Sequence, residues 1–177
     1  RWRAQGYAGR APSIDPREYA VATVVMTGGT SGFGLHTVRE LQAAGRRMLV
    51  GARRPASGDQ IALDLAELSS VRAFAATVLE RCGDDPVDAL VLNAGIVRAD
   101  AGGRSADGHE LTCAVNHLAH YLLVRLLLDR LAEGAMIVLT TSGTHDPATG
   151  AGLVPPRHAD VQLLADPGRD PGVDPRP

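Results

Sequence analysis

The amino-acid sequence predicts an α/β domain built on a doubly wound parallel sheet. Short apolar runs alternate with longer segments of helical periodicity, and the first apolar run ends in a cluster of glycines. Strands that are apolar along their whole length are typical of parallel sheets with helices on both faces. The predicted strands are 21–27, 47–51, 60–64, 87–92 and 135–141, and helices are predicted at 32–45, 67–81 and 108–132.

The second and third predicted helices differ in how their apolar residues are distributed. In the second helix, Leu68, Val71, Phe74 and Val78 recur at helical spacing, which places them on one face. The third helix is apolar over a wide arc, with Leu118, Leu122, Leu123, Leu126, Leu127 and Leu131. Such a helix packs either in the core or against a second subunit. A homo-oligomer that associates through residues 108–132 is therefore one of two expectations for this helix.

The composition fits one globular domain and argues against two classes of partner. The chain has 177 residues, of which 45% are hydrophobic and 21% charged. Its net charge of -2 gives no electrostatic reason to expect a nucleic-acid partner. No uninterrupted apolar stretch is long enough to span a bilayer. Cys82 and Cys113 are isolated thiols without paired-ligand spacing, which favours a cytoplasmic protein with reduced cysteines.

Composition also divides the chain into three segments. Residues 1–20 are polar and aperiodic, and we interpret them as a leader or linker. Residues 21–145 contain all the predicted strands and helices. Seven of the 11 prolines lie in 146–177, so we expect this segment to be a loop or a disordered tail.

The glycine cluster between the first strand and the first helix predicts a phosphate-binding loop. The run Thr27-Gly28-Gly29-Thr30-Ser31-Gly32-Phe33-Gly34 contains glycines at the spacing G-x-x-x-G-x-G. The amino end of a helix has unpaired backbone N–H groups and about half a positive charge, so it attracts phosphate. Glycine lets a ligand approach the backbone closely. This context predicts a dinucleotide site, and the alternative is a glycine-rich turn without a ligand.

The end of the second predicted strand indicates which dinucleotide is bound. Dinucleotide sites place there either an acid, which binds the ribose hydroxyls, or an arginine, which binds a 2′-phosphate. The sequence reads Gly51-Ala52-Arg53-Arg54, and a permanently charged guanidinium suits phosphate. NADP(H) is therefore favoured over NAD(H) as the cofactor. The alternative is that both arginines belong to a solvated loop.

Together with four further matches, these residues resemble the short-chain dehydrogenase/reductase family over about residues 21–145. The loop 27–34 is similar to the family's TGxxxGxG motif, and Asn93-Ala94-Gly95 is similar to the NAG after its fourth strand. Asp64-Leu65 resembles the pair that contacts adenine, and Asn116 and Ser142 match the family's helix asparagine and active-site serine. The phrases "NHLAHYLL" and "TSGTHDP" most resemble the branch of retinol-dehydrogenase-like and protochlorophyllide-reductase-like proteins.

The resemblance implies a Rossmann fold with strand order 3-2-1-4-5 and hydride transfer between the nicotinamide and a carbonyl or alcohol carbon. In the family, a tyrosine exchanges the proton of the reacting oxygen, and a lysine four residues later lowers the pKa of that tyrosine. Ser142 would hydrogen-bond the reacting oxygen, and Asn116 would order a water in the proton relay. The implied cofactor-binding residues are Thr27, Gly28, Thr30, Ser31, Gly32, Phe33, Gly34, Arg53, Asp64, Leu65, Asn93, Ala94 and Gly95.

The chain departs from the family's catalytic pattern. It contains no lysine, so the motif Tyr-x-x-x-Lys cannot occur. Tyr121 and Arg125 imitate the spacing, but they precede Ser142, and Tyr121 lies about 140° from Asn116 around a helix. We therefore expect a truncation that removes the catalytic tyrosine and the sixth and seventh strands, and a polypeptide with little or no reductase activity by itself. The alternatives are a non-catalytic dinucleotide-binding or sensing module and an inactive gene remnant.

Two other groups of polar residues are not expected to form reactive sites. His117 and His120 stand at i and i+3 on the third predicted helix, but no third ligand is evident, so no metal site is predicted. Ser142, His145 and Asp146 are near neighbours in sequence, and the serine lacks the G-x-S-x-G turn, which argues against a hydrolase triad.

Overall fold

The computed structural model describes residues 22–98, 102–143, 148, 150 and 158–170. Within them, five strands form one parallel sheet in the order β3-β2-β1-β4-β5. The strands are β1 Thr23–Thr27, β2 Arg47–Ala52, β3 Gln60–Ala62, β4 Val87–Leu92 and β5 Leu131–Leu139. The predicted doubly wound α/β fold and its strand order are confirmed.

Three long helices cover the two faces of this sheet: α1 Gly32–Ala43, α2 Leu68–Cys82 and α3 Leu111–Arg130. All five residues of β1 are buried, and their side chains alternate between the faces because successive strand residues point to opposite sides. Val24 and Met26 pack with Val38 of α1, whereas Val25 packs in a larger cluster with α2 and α3. Coverage on both faces therefore explains why the strand contains no charged residue and why its three central residues are all apolar.

The boundary between α3 and β5 differs from the predicted one. We predicted a helix to residue 132 and a strand from 135, but α3 ends at Arg130 and β5 begins at Leu131. The pairing of β4 with β5 jumps from Val87↔Leu131 to Ala89↔Met136, so five residues of β5 advance against two of β4. This irregularity is a bulge, and Gly134 occupies it with φ +77°. The strand begins early because Leu131 already pairs with β4, which helical periodicity does not reveal.

The hydrogen-bonding pattern of α3 changes along its length. Its segments are α-helical at Leu111–Cys113, π-helical at Ala114–Leu118, α-helical at Ala119–Leu127 and 3₁₀ at Leu128–Arg130. Leu123 and Leu127 are fully buried in the cluster shared with α2, whereas Tyr121 and Leu128 are exposed. By length and composition this helix would also suffice to cross a membrane, and in this structure one face of it packs into the domain core.

A short ordered segment of the proline-rich tail contacts the domain. Residues 158–170 contain helix α4 (Val161–Ala165) and a 3₁₀ turn. Asp160 caps α4 by accepting hydrogen bonds from two backbone N–H groups, and the carbonyl of Ala165 accepts one from the backbone N–H of Glu110 at 2.8 Å. These contacts stabilise the segment, which thus contains a short helix and a turn within the region that we expect to be a loop or a disordered tail. The predicted leader at 1–20 lies outside the described residues.

Candidate functional site

A cleft of about 790 Å³ opens at the carboxyl ends of the central strands. Ligands of such sheets bind at this edge, where the strand order changes direction. Gly32 opens α1 beside the cleft with φ +52°. Each of the other predicted cofactor-binding residues lines it: Thr27, Gly28, Thr30, Ser31, Phe33, Gly34, Arg53, Asp64, Leu65, Asn93, Ala94 and Gly95.

Two glycines of the loop before α1 are required by close contact between backbone segments. At Gly34 a Cβ atom would overlap the carbonyl oxygen of Gly28 and lie 2.7 Å from Asn93 Nδ2. At Gly28, where φ is +68°, a Cβ atom would lie 2.7 Å from Ala94 Cα. Real Cβ atoms essentially never approach other atoms within 3.0 Å. The loop after β1, the start of α1 and the loop after β4 therefore form a tight cradle of main chain, which we call the glycine cradle (Gly28, Gly34 and Ala94).

The amino end of α1 faces this cradle with the properties of an anion site. The side chain of its N-cap residue, Ser31, makes no capping hydrogen bond, and the first turn contains no acidic residue. The first intrahelical bond formed there runs from Leu35 N–H to Ser31 O, so the amides of residues 32–34 are left over as donors. Those amides and the helix dipole favour a bound phosphate.

A second cavity, of about 550 Å³, adjoins the cleft beyond the end of β2. It is lined by Thr30, Ala52, Arg53, Arg54 and Asp64. Both arginines are exposed, so their guanidinium groups are accessible to a ligand from solvent. The Asp64 carboxylate accepts a hydrogen bond from Ala66 N–H at 2.9 Å, which orients the turn between β3 and α2. The cavity thus offers two cationic groups and one anionic group to the same ligand.

Asn93 is held by three hydrogen bonds at the floor of the cleft. Its backbone N–H donates to Thr27 Oγ1 at 3.1 Å, and its Nδ2 donates to the carbonyl of Gly28 at 3.0 Å. Its Oδ1 accepts a hydrogen bond from Thr140 Oγ1 at 3.1 Å. Asn93 therefore joins the loop after β1 to the ends of β4 and β5. In this arrangement its amide group binds protein atoms and positions the cleft wall.

The predicted catalytic residue Asn116 lies in the π-helical turn of α3. Its Oδ1 accepts from Ile96 N–H and its Nδ2 donates to Ile96 O, both at 2.8 Å. These two bonds pair both backbone groups of Ile96 with the Asn116 side chain and so connect the loop after β4 to α3. π-Helical turns are frequent at functional sites. Asn116 is not among the residues that line the cleft, but Ile96, to which it is hydrogen-bonded, is one of them.

The second predicted catalytic residue, Ser142, is exposed and lies just after β5. It does not line the cleft, whereas Thr140 does. We did not identify Thr140 from the sequence, although it stands with Ser142 in the phrase "VLTTSG" directly after the strand. We also did not identify Leu111 and Val115, which provide an apolar wall from α3. The roles of Ser142 and Asn116 in catalysis stay predictions.

The two histidines of α3 point to different surroundings. His117 is exposed and stacks on Tyr121, with ring centroids 6.4 Å apart, whereas His120 is buried and its Nε2 lies 3.0 Å from Thr27 Oγ1. Among the described residues there is no group of three or more potential metal ligands.

Burial raises the pKa of both cysteine thiols, so each stays protonated at neutral pH. His145 and Asp146 lie outside the described residues.

Comparison with known proteins relates this architecture to one family. The sequence profile of short chain dehydrogenases matches residues 22–151. Protochlorophyllide reductase A, chloroplastic, of Oryza sativa subsp. japonica is 36% identical over 171 residues, which cover 85% of this chain and 44% of that protein. Retinol dehydrogenase 13 of Homo sapiens is 36% identical over 129 residues, which cover 64% of this chain and 38% of that protein.

A solved structure agrees with these sequence matches. It is an oxidoreductase of the short chain dehydrogenase/reductase family from Brucella ovis, in complex with a partially ordered NAD. It aligns with a TM-score of 0.60 and 28% identity over 77% of this chain and 67% of that one.

The match to the family includes all five strands and the cleft described above. The chain spans less than half the length of the two curated relatives. Those relatives carry the two names that the phrases around Asn116 and Ser142 resemble, so the predicted branch is also confirmed. This chain belongs to the short-chain dehydrogenase/reductase family.

Proposed function

We propose that this chain binds NADP(H) and forms the cofactor-binding part of an oxidoreductase that interconverts a carbonyl and an alcohol. The observation that carries the proposal is the glycine cradle at the amino end of α1, with Arg53 and Arg54 at the end of β2. When bound, the nicotinamide cofactor would exchange a hydride with the substrate carbon. The substrate is accordingly a small molecule with a carbonyl or hydroxyl group.

The cradle fits a dinucleotide pyrophosphate. The main chain at Gly28 and Gly34 has no side chain that would keep a phosphate away, and any Cβ atom there would meet protein atoms. The donors are the amides at the start of α1, assisted by Thr30 and Ser31 at the cleft wall. Asp64-Leu65 would contact the adenine, and Asn93-Ala94-Gly95 would form the floor under the nicotinamide half.

The preference for NADP(H) rests on charge in the second cavity. Two guanidinium groups and the Asp64 carboxylate line it, which leaves an excess of positive charge. A 2′-phosphate carries close to two negative charges at neutral pH and binds well to guanidinium groups. A ribose 2′-hydroxyl would be bound best by an acid alone. The arginines therefore favour NADP(H), while the carboxylate is still able to bind a ribose hydroxyl.

The matched experiment compares Arg53→Ala with Arg39→Ala, because Arg39 is exposed on α1 and does not line either cavity. We expect Arg53→Ala to weaken NADP⁺ binding by about tenfold, the loss of one exposed charge-assisted hydrogen bond, and to leave NAD⁺ binding nearly unchanged. Arg39→Ala should change neither dissociation constant. Tighter binding of NAD⁺ than NADP⁺ by the unaltered chain would contradict the preference.

Catalysis by this chain alone is a separate matter. Ser142 and Asn116 are the two positions at which the family's catalytic residues are present, whereas no lysine occurs anywhere in the sequence. Tyr121 is exposed and stacks on His117, so it does not supply a proton to the cleft. We propose that this polypeptide by itself reduces carbonyl compounds slowly or not at all. Turnover of a ketone or aldehyde with NADPH at ordinary enzymatic rates would refute this.

Because the sequence contains no lysine, a second candidate function is a non-catalytic dinucleotide-binding or sensing module. An inactive gene remnant is the third candidate. A ligand that binds only the folded state stabilises it by about 2.7 kcal/mol at a hundredfold excess over Kd. A module should therefore melt at a higher temperature with NADPH, and a remnant should not. Reductase activity in a longer form of the chain, but not in this one, would favour the truncated enzyme.

We further propose that the protein is cytoplasmic, without a nucleic-acid partner or a membrane span, and that two copies associate through α3. Tyr121 and Leu128 are 60% and 46% exposed on this helix, and a second copy would cover both side chains. Sedimentation analysis of the unaltered chain and of Tyr121→Glu tests the association. A monomer at micromolar concentration in both samples would exclude it.

A further inference from the structure

The hydroxyl of Thr27 sits at the end of β1 with three hydrogen-bond partners. Thr27 is fully buried, and its Oγ1 lies 3.1 Å from the backbone nitrogens of both Asn93 and Ala94. The third partner is Nε2 of His120, at 3.0 Å and 93 residues away in sequence. The two amides belong to the loop that forms the floor of the cleft.

Counting donors and acceptors assigns a direction to each of these bonds. A hydroxyl can accept two hydrogen bonds and donate one. The two backbone N–H groups can only donate, so they occupy both lone pairs of Thr27 Oγ1. The Thr27 proton must therefore be donated to His120 Nε2, which has to be unprotonated.

The contact of the other ring nitrogen agrees with this assignment. His120 Nδ1 lies 3.3 Å from the carbonyl oxygen of Asn116, and a carbonyl can only accept. Nδ1 must therefore carry the proton. The Thr27 contact requires an unprotonated Nε2 and the Asn116 contact requires a protonated Nδ1, so together they assign the neutral Nδ1–H tautomer. A doubly protonated ring would direct Nε2–H at a hydroxyl with no lone pair left.

We propose that neutral His120 is a positioning residue that holds Thr27 as a double acceptor for the Asn93 and Ala94 amides, and that protonation of His120 releases this loop and weakens cofactor binding. The part on cofactor binding rests on the function proposed above. The cause is local: when Nε2 carries a proton, the Thr27 hydroxyl has to turn, and at least one of the two amides loses its acceptor. The floor beneath the nicotinamide half is then no longer held in place.

The surroundings of His120 favour the neutral ring. Burial lowers its pKa, the charge of His117 on the same helix acts in the same direction, and the Asn116 carbonyl opposes them. From β1 the facing polar group is Thr27, and from the 93–96 loop it is Asn93, neither of which titrates. Helix α2 packs against α3 with apolar core residues, while its charged residues Arg72, Glu80 and Arg81 are exposed.

The first test uses the unaltered chain without cofactor. Nitrogen-15 NMR of the imidazole should show an Nδ1–H tautomer at pH 7.5. As the pH falls through the His120 titration, hydrogen exchange of the Asn93 and Ala94 amides should accelerate by tenfold or more relative to Val25 in β1. An Nε2–H tautomer, or protection of both amides that does not change with His120 protonation, would overturn the inference.

The second test measures Kd for NADP⁺ between pH 5.5 and 7.5 in three chains. Binding that requires one neutral group weakens by up to tenfold for each pH unit below the pKa of that group. His120→Gln can accept at Oε1 and donate at Nε2 without titrating, so its Kd should lack this slope. His117→Gln, which changes the exposed histidine one turn earlier, should keep it. The 2′-phosphate titrates equally in all three chains, so its contribution cancels in the comparison.

The outcomes separate the two proposals. If the unaltered chain does not bind NADP⁺ at pH 7.5, the proposed function fails, and the NMR measurements still decide whether His120 holds the loop. If His120→Gln binds at pH 7.5 but retains the full slope, the positioning role is refuted while the proposed function stands. Should His120→Gln not fold, Thr27→Ser and Thr27→Val replace it, with the slope expected to persist in the first and vanish in the second.

Discussion

Replacing Gly34 with alanine perturbs the glycine cradle at its tightest point. The new Cβ atom would overlap the Gly28 carbonyl oxygen, lie 2.9 Å from the Gly28 carbonyl carbon and lie 2.7 Å from Asn93 Nδ2. Two of these three neighbours are backbone atoms, so neither can rotate away. The start of α1 must move outward, and the bond from Asn93 Nδ2 to Gly28 O must lengthen or break.

The magnitude follows from these two effects. Forcing an extra carbon into a packed site costs about 1–3 kcal/mol, and one lost hydrogen bond adds about 1 kcal/mol. A loss of roughly 2–4 kcal/mol lowers the melting temperature of a chain this size by about 5–15 °C. Because the displaced atoms form the phosphate cradle, we also expect NADPH affinity to fall by more than tenfold.

Thermal denaturation with and without NADPH measures both quantities, and Gly58→Ala is the matched control. At Gly58 no atom lies within 4 Å of the position that an alanine Cβ would occupy, and φ is not positive, so alanine there should be nearly neutral. If Gly34→Ala melts within 1–2 °C of the unaltered chain (about half a kcal/mol) and keeps its affinity, the cradle does not require glycine and our reasoning is wrong.

Two further predictions concern α3. Asn116→Ala removes both hydrogen bonds to Ile96 and should lower the free energy of unfolding in denaturant by about 1–2 kcal/mol. Asn116→Asp should be intermediate in stability, because aspartate can accept from Ile96 N–H but cannot donate to the Ile96 carbonyl. Equal stability of all three chains would contradict the role of these bonds. Burial lowers the pKa of His120 below its ordinary value of 6.5, so below that pH the unfolded chain binds more protons than the folded chain. The free energy of unfolding should therefore decrease as the pH is lowered, and it should decrease less steeply in His120→Gln. Parallel pH profiles of stability in the two chains would count against this linkage.

The central fold could be predicted from sequence because its signals are local. The run from Val21 to Thr27 contains only apolar residues and threonine, as expected of a strand covered on both faces, and the glycines follow it directly. Arg53 follows the second predicted strand and Asp64 is the last residue of the third, and the carboxyl ends of parallel strands lie at one edge. The cleft residues that follow β1, β2 and β3 were therefore predictable from their places relative to strands, whereas the cleft residues Leu111, Val115 and Thr140 were not identified.

Other features depend on contacts between distant parts of the chain. The backbone N–H of Leu68, the first residue of α2, donates a hydrogen bond to the carboxylate of Asp107, 39 residues further along the chain. No sequence pattern near Leu68 predicts this partner. The early start of β5 depends on pairing with β4 across the bulge at Gly134. His120 was considered beside His117 as a metal ligand, because spacing along a helix does not show that its ring faces Thr27.

The measurement that tests dinucleotide binding most directly is a crystal structure of this chain grown with NADP⁺. We expect the pyrophosphate oxygens to lie within hydrogen-bond distance of the amides at 32–34, with the 2′-phosphate beside Arg53. Two results would contradict the proposed cofactor site. One is a glycine cradle that is filled by the protein's own side chains, and the other is a nucleotide that is bound elsewhere and does not contact the start of α1.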